Sequence, residues 1–200
     1  MYTWGYIKQV ALSKLDMTQT SNEPEVLELT NRFPYYANEV MTQVCSSIKP
    51  KYTYCEFNII EANTVKDMPN DFISFGDDNN YIEETDHCGE TKTRMANDDD
   101  FVTYGYKSLL FKRKGTYRIS YNARWFDFCN TGDEPIDDNY ELDIPADILD
   151  CIPSYIASQC YKIDDEYKAQ VYRNEYELSL ARIDNTNYKN TKTFHIRGGW

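Results

Sequence analysis

Two hundred residues with 41% hydrophobic content can bury the core of one domain, or of a domain carrying an insertion. A formal net charge of −12 argues against a protein that grips nucleic acid through phosphates, because that binding runs on Lys and Arg releasing counterions. No apolar run approaches the roughly 18 residues of a membrane span, and Lys8 and Lys14 punctuate the segment where a secretion signal needs an apolar stretch. The expectation is a soluble, intracellular product without a membrane partner.

Residues 1–50 read as helices. Thr3 is placed to cap a helix carrying Trp4, Ile7, Val10, Ala11, Leu12 and Leu15. After a polar break at 18–22, Ser21 or Asn22 can cap a second helix with Pro24 in its first turn. At Phe33-Pro34 the pattern must kink or restart. A third helix then follows, with Ala37, Val40, Met41, Val44 and Ile48 on one face, and stops before Pro50.

Residues 51–143 change period. Tyr52 to Ile59 alternates and is rich in strand formers. Met68 to Ile73 suggests a short helical or turn segment, and Asp77 to Asp100 a polar, acidic, mobile loop. Two strands, Val102–Lys112 and Thr116–Trp125, are expected to form a hairpin around Arg113-Lys114-Gly115. In the second of them Tyr117, Ile119, Tyr121 and Ala123 share one face, as in a half-buried antiparallel strand.

Residues 144–184 return to helix. Ile148, Ile152, Ile156 and Cys160 recur every four residues, and Pro153 sits at the start of a segment. Asp164 or Asp165 then caps a last helix with Tyr172, Tyr176, Leu180 and Ile183 along one side. Residues 185–200 read as an extended tail ending in Gly198-Gly199-Trp200. The fold class is α+β: a helical core from both ends of the chain, an inserted antiparallel β domain, and an extended tail. The candidate helical core is Trp4, Ile7, Val40, Val44, Ile152, Ile156 and Tyr172.

Motifs for chemistry are missing. No glycine loop for phosphates, nucleophile elbow or H-E-x-x-H helix occurs. His87 and His195 lie far apart, so neither has an evident orienting partner for catalysis. The cysteines (Cys45, Cys55, Cys88, Cys129, Cys151 and Cys160) form no C-x-x-C pair and read as inert thiols. Asp77-Asp78, Asp98-Asp99-Asp100, Asp133-Glu134 and Asp137-Asp138 have oxygen ligands for Ca²⁺ or Mg²⁺ but not the EF-hand spacing, and read as solvated loop charge. No catalytic residue, metal or cofactor is expected.

Eighteen tyrosines suit surfaces that become interfaces as well as strand interiors. In the tail, Phe194 and Trp200 are costly to leave in water, at about 1.5–3 kcal/mol each. Thr193 to Ile196 would fit docking by strand addition on a neighbour.

The run from Ile144-Pro145-Ala146-Asp147 through Cys160, with Asp164-Asp165-Glu166-Tyr167 and Tyr172-Arg173-Asn174-Glu175-Tyr176, resembles the head-to-tail adaptor (connector) proteins of tailed bacteriophages. Tyr2-Thr3-Trp4-Gly5-Tyr6-Ile7 and Ala37-Asn38-Glu39-Val40 are similar to the start of the same proteins. Met68 to Phe72 and Gly115 to Ile119 fit the β domain inserted in longer adaptors. The resemblance implies a structural, non-enzymatic virion protein of the neck, forming a homo-oligomeric, dodecameric ring. Its tail, with Phe194, His195, Ile196 and Trp200, would reach the portal protein, and its β block would face the next tail component. Genomic DNA would pass the lumen without specific binding. The acidic stretch 77–100 departs from the short, all-helical connectors. Two alternatives stand beside this reading: an acidic DNA-mimic inhibitor of a host nucleic-acid enzyme, and a metal-dependent enzyme using the acidic loops.

Overall fold

A computed structural model describes residues 2–17, 24–76, 80–85, 90–129 and 136–190. The chain forms two compact units, Met1–Lys49 with Trp125–Trp200, and Pro50–Arg124. The fold is α+β.

The first unit is helical. In α1 (Trp4–Lys14) the Tyr6 N–H donates to Thr3 Oγ1 at 3.2 Å, the N-cap that the sequence predicts. Asp16, at φ 59°, ends the helix: its N–H donates to the Ser13 carbonyl and that of Met17 to the Leu12 carbonyl. Gly5 lies against the chain at Asp138, where an added Cβ would come within 2.8 Å of the Asp138 carbonyl oxygen. After α2 (Pro24–Thr30), Phe33-Pro34 starts a helix rather than kinking one, since proline lacks only an N–H that the first turn leaves unused. That helix, α3 (Phe33–Ser47), buries Phe33, Ala37, Val40, Met41, Val44 and Cys45.

Past residue 124 come α4 (Ala146–Leu149), α5 (Ile152–Tyr161) and α6 (Glu166–Asn190). Seven consecutive residues of α5, Ile152 to Ser158, are buried, because α1, α3 and α6 all pack around it. Trp4, Ile7, Val40, Val44, Ile152 and Ile156 are buried in this core, while Tyr172 is only partly buried and Tyr176 is fully enclosed. Residues 125–143, grouped by sequence with the β block, instead supply Phe128 and Leu142 to the helical core. The Trp125 indole N–H donates to the Lys49 carbonyl at 2.9 Å. Residues 185–190, expected in the extended tail, continue α6 as helix; residues 191–200 lie outside the described residues.

The second unit contains two antiparallel sheets. Strands β1 (Lys51–Ile59), β2 (Thr64–Asp67), β3 (Phe72–Phe75), β4 (Tyr81–Thr85), β5 (Thr91–Met95), β6 (Phe101–Tyr104), β7 (Ser108–Phe111) and β8 (Gly115–Ala123) follow in chain order. One sheet runs β1-β8-β4-β5, with β3 also on β8; the other runs β2-β7-β6. β1 and β8 pair over their whole length, from Lys51 opposite Ala123 to Ile59 opposite Gly115. On the other side of β8, β4 pairs near Arg118 and β3 near Tyr121. Between them Asn80 Oδ1 accepts from the Ser120 N–H at 2.9 Å, filling the interrupted ladder. Tyr117, Ile119, Tyr121 and Ala123 are buried with Ile59, Leu109 and Phe111, and the Phe111 ring lies 4.6 Å from Tyr117 and 5.2 Å from Phe57.

Three expectations for this unit are corrected. The segment 102–112 is not one strand: Gly105, at φ 76°, turns it into the β6–β7 hairpin. β7 and β8 do not pair, because the chain crosses from one sheet to the other between them. Finally, 77–100 is not simply a loop, since it holds β4 and β5. Of the helix or turn expected over Met68 to Ile73 the structure has the turn, which leads into β3.

Candidate functional site

In the β unit, Arg94 and Tyr117 converge on one residue, Asp100. Arg94 sits on edge strand β5 opposite the buried Ile82. From there its guanidinium donates to both oxygens of Asp100, each at 2.6 Å, and to Glu84 Oε1 at 3.1 Å. The Asp100 side chain is 0% exposed. Its Oδ2 also accepts from the Asn97 N–H at 2.9 Å, closing the turn between β5 and β6. The Lys112 N–H and the Tyr117 hydroxyl donate to the Asp100 carbonyl. Hydrogen bonding from Arg94 holds the Asp100 carboxyl below the ordinary carboxylate range, against the opposing effect of burial. Burial pushes the Tyr117 hydroxyl up to about 12. Asp100, expected as solvated loop charge, is thus a buried ion-pair partner. Locked as the anion, it has no proton to give and no free oxygen to offer a reactant.

Beside this clamp lies a cleft of about 580 Å³, lined among others by Phe75, Asn80, Met95, Asp98, Asp99 and Phe101. Its two carboxylates have no imidazole or thiol among the lining residues, and Asn80 is already engaged with Ser120. Among the described residues no group of three or more His, Cys, Asp or Glu side chains is arranged to hold a metal ion.

The cysteines show no activated thiol where burial resolves their titration. It raises Cys151 to about 12 and Cys55 and Cys160 to about 11, which keeps each a thiol at neutral pH. His87, Cys88 and His195 lie outside the described residues, as do the tail residues Phe194, Ile196 and Trp200. In the helical unit the polar groups tie helices together. The Tyr155 hydroxyl donates to Glu39 at 2.6 Å, the Tyr176 hydroxyl to Gln43 at 2.7 Å, and both Lys14 and Ser154 to Glu175.

Part of the outward surface is aromatic and apolar. The register puts Met95, Tyr81, Arg118 and Glu56 in one row across β5, β4, β8 and β1 on the outer face of the larger sheet. Tyr54 and Tyr52 lie further along that face, both exposed, with the Arg118 guanidinium 3.4 Å from the Tyr54 ring centroid. The smaller sheet aligns Val65, Leu110 and Val102 in a row, followed by the exposed Tyr104. In the helical unit, Tyr167, Val171 and Leu178 are exposed along α6. This combination of Tyr, Met and Arg is the composition enriched in protein–protein interfaces. The strict alternation of Tyr52 and Tyr54 with partly buried neighbours, and the spacing along α6, were signals available in the sequence; the Arg94–Asp100 pairing had none beyond the Asn97-x-x-Asp100 turn.

No described helix is long and apolar enough to cross a membrane. No protein-family model matches the chain, and no curated protein matches it. Among solved structures, a chain in the neck of an empty GTA particle computed with C6 symmetry is similar over 83% of each chain, at 9% identity and a TM-score of 0.27.

Proposed function

We propose that this chain is a structural, non-enzymatic head-to-tail adaptor of a tailed bacteriophage. Copies form a dodecameric ring in the virion neck, between the portal protein and the next tail component, with a lumen for the genomic DNA. The observation that carries the reading is the way the chain is divided: both ends make one helical unit, and the β unit is a single insertion between Lys49 and Trp125. That is the organisation implied by the resemblance of the Ile144–Cys160 and Tyr2–Ile7 segments to the longer adaptors. The exposed tyrosines on both units, Tyr35 and Tyr167 on one, Tyr52 and Tyr104 on the other, are further support, because a ring subunit needs several interfaces at once. The net charge of −12 suits a lumen along which DNA slides without being held.

The acidic-inhibitor alternative needs carboxylates arrayed like phosphates. Here Asp100 and Glu84 are tied to Arg94, Asp138 to Lys8 and Asp147 to Lys49, so these charges are locally neutralised.

The test is to mix the purified chain with the portal protein encoded by the same phage. Co-sedimentation and rings of uniform diameter by negative-stain microscopy are expected. Replacing Phe194 and Trp200 together by alanine is expected to weaken portal binding by at least about tenfold, since buried aromatic anchors carry much of an interface's energy. A chain that stays monomeric and ignores the portal at all concentrations contradicts the proposal.

A further inference from the structure

We infer that the outer stripe of α6 is a coiled-coil seam on which a second copy of this chain pairs, its α6 parallel and in register with the first. One stripe of α6, with Tyr176, Leu180 and Ile183, is buried within its own unit. A second stripe, Tyr167, Val171, Asn174, Leu178 and Ala181, follows the alternating four-and-three spacing of a heptad seam. All five residues are exposed, Tyr167 at 80%, Leu178 at 64% and Val171 at 38%. A helix that only covered its own core would need one apolar stripe.

Two features identify the occupant as another α6. In a parallel, in-register pair, a residue flanking the seam on one helix faces the residue five positions further along the other. Glu177 and Arg182, both exposed and both flanking the seam, stand in that relation, so each joins its opposite charge across the pair, twice by symmetry. Asn174, the single amide in the seam, then meets its own counterpart; any other register would bury it against apolar groups. Within one copy Asn174 accepts from Gln170 at 2.8 Å, and Glu177 accepts from Arg173 at 2.8 Å. These contacts are exposed and cost little to rearrange, and Arg182, which is itself engaged within its own copy, exchanges that contact for Glu177 of the second copy.

Such a pair sets the same patch against itself around a two-fold axis, whereas a ring is closed by head-to-tail contacts. The inference therefore goes beyond the adaptor reading, describes how free copies associate, and stands or falls separately.

Sedimentation equilibrium of the full chain, with circular dichroism as a check on folding, tests it. The unaltered chain is expected to dimerise. Leu178→Glu should weaken the dimer on the order of 100-fold, because two buried leucines are lost per pair. Glu177→Arg and Arg182→Glu should each weaken it, and the two together should restore it. Oxidised Asn174→Cys should yield a disulfide joining position 174 of the two copies, identified by peptide mapping against the oxidised unaltered chain. A chain monomeric throughout overturns the inference, as does a dimer indifferent to Leu178→Glu or one that forms no link at position 174. Rings that form regardless of Leu178→Glu, without a dimer, overturn it while leaving the adaptor reading in place.

Discussion

Replacing Asp100 with alanine is expected to destabilise the β unit by about 2–4 kcal/mol while leaving the helical unit at full stability. Removing one partner of a buried ion pair costs roughly 3–5 kcal/mol when the other charge is stranded. Here the cost is smaller, because Arg94 is about a third exposed and keeps Glu84. The loss has three parts: two 2.6 Å bonds from Arg94, the Asn97 N–H bond that shapes the turn, and the volume of a fully buried side chain. Asp100→Asn should be nearly as damaging, since its amide N–H₂ would face a guanidinium that can only donate. For a unit of this size, residues 50–124, each kcal/mol moves the melting temperature by roughly 4–8 °C. Hydrogen exchange should therefore quicken across β4, β5 and β6. The fluorescence transition should stay where it was, because Trp4 and Trp125 belong to the other unit.

The same carboxylate sets an acid limit with a definite sign. Its folded-state pKa lies below the ordinary value of 3.8, chiefly through the Arg94 hydrogen bonds. The stabilisation is thus complete above that ordinary value and is lost as pH falls through the depressed one. Asp100→Ala should flatten the acid dependence of the β unit in that window. An unchanged acid profile would show that the clamp contributes little.

Tyr176→Ala is expected to cost the helical unit about 3–5 kcal/mol, the range for emptying a large aromatic site in a packed core. Tyr176 is fully enclosed, its ring centroid is 4.8 Å from that of Tyr155, and its hydroxyl reaches Gln43 on α3. It thereby ties α6 to α5 and α3 at one point. Tyr176→Phe should cost only about 1 kcal/mol, the price of leaving the Gln43 acceptor without its donor. Urea unfolding followed by tryptophan emission reads this directly, since Trp4 packs on Phe128 at 5.1 Å in the same core. The exchange pattern of residues 50–124 should not change. If both variants lower both units together, the two units are one cooperative structure.

Elements with strong periodicity were legible before any coordinates. α1 announces itself through Thr3 and its apolar face, α3 through Ala37 to Val44, and β1 and β8 through alternation with branched and aromatic residues. β4 and β5 were not, because among the described side chains of Tyr81–Thr85 and Thr91–Met95 only Ile82 is deeply buried, and the others are charged, polar or rim residues. An edge strand such as β5, with its inward Arg94, reads as loop, although such a charge also deters pairing with stray strands. The β6–β7 hairpin was hidden inside a run rich in strand formers, where Gly105 looks unremarkable between two tyrosines. Sheet membership is set by long-range pairing rather than local pattern, so the crossing at 112–114 could not be read in advance. Of the site, the exposed tyrosine alternation and the α6 spacing were visible in the residues, while the clamp needed the turn at Asn97 to bring Arg94 onto Asp100.

The adaptor account stands or falls on where the chain is found and in how many copies. Quantitative mass spectrometry of purified phage particles, with the portal and capsid proteins as internal standards, measures both. The account predicts a virion component present at about the copy number of the portal. Absence from intact particles would contradict it.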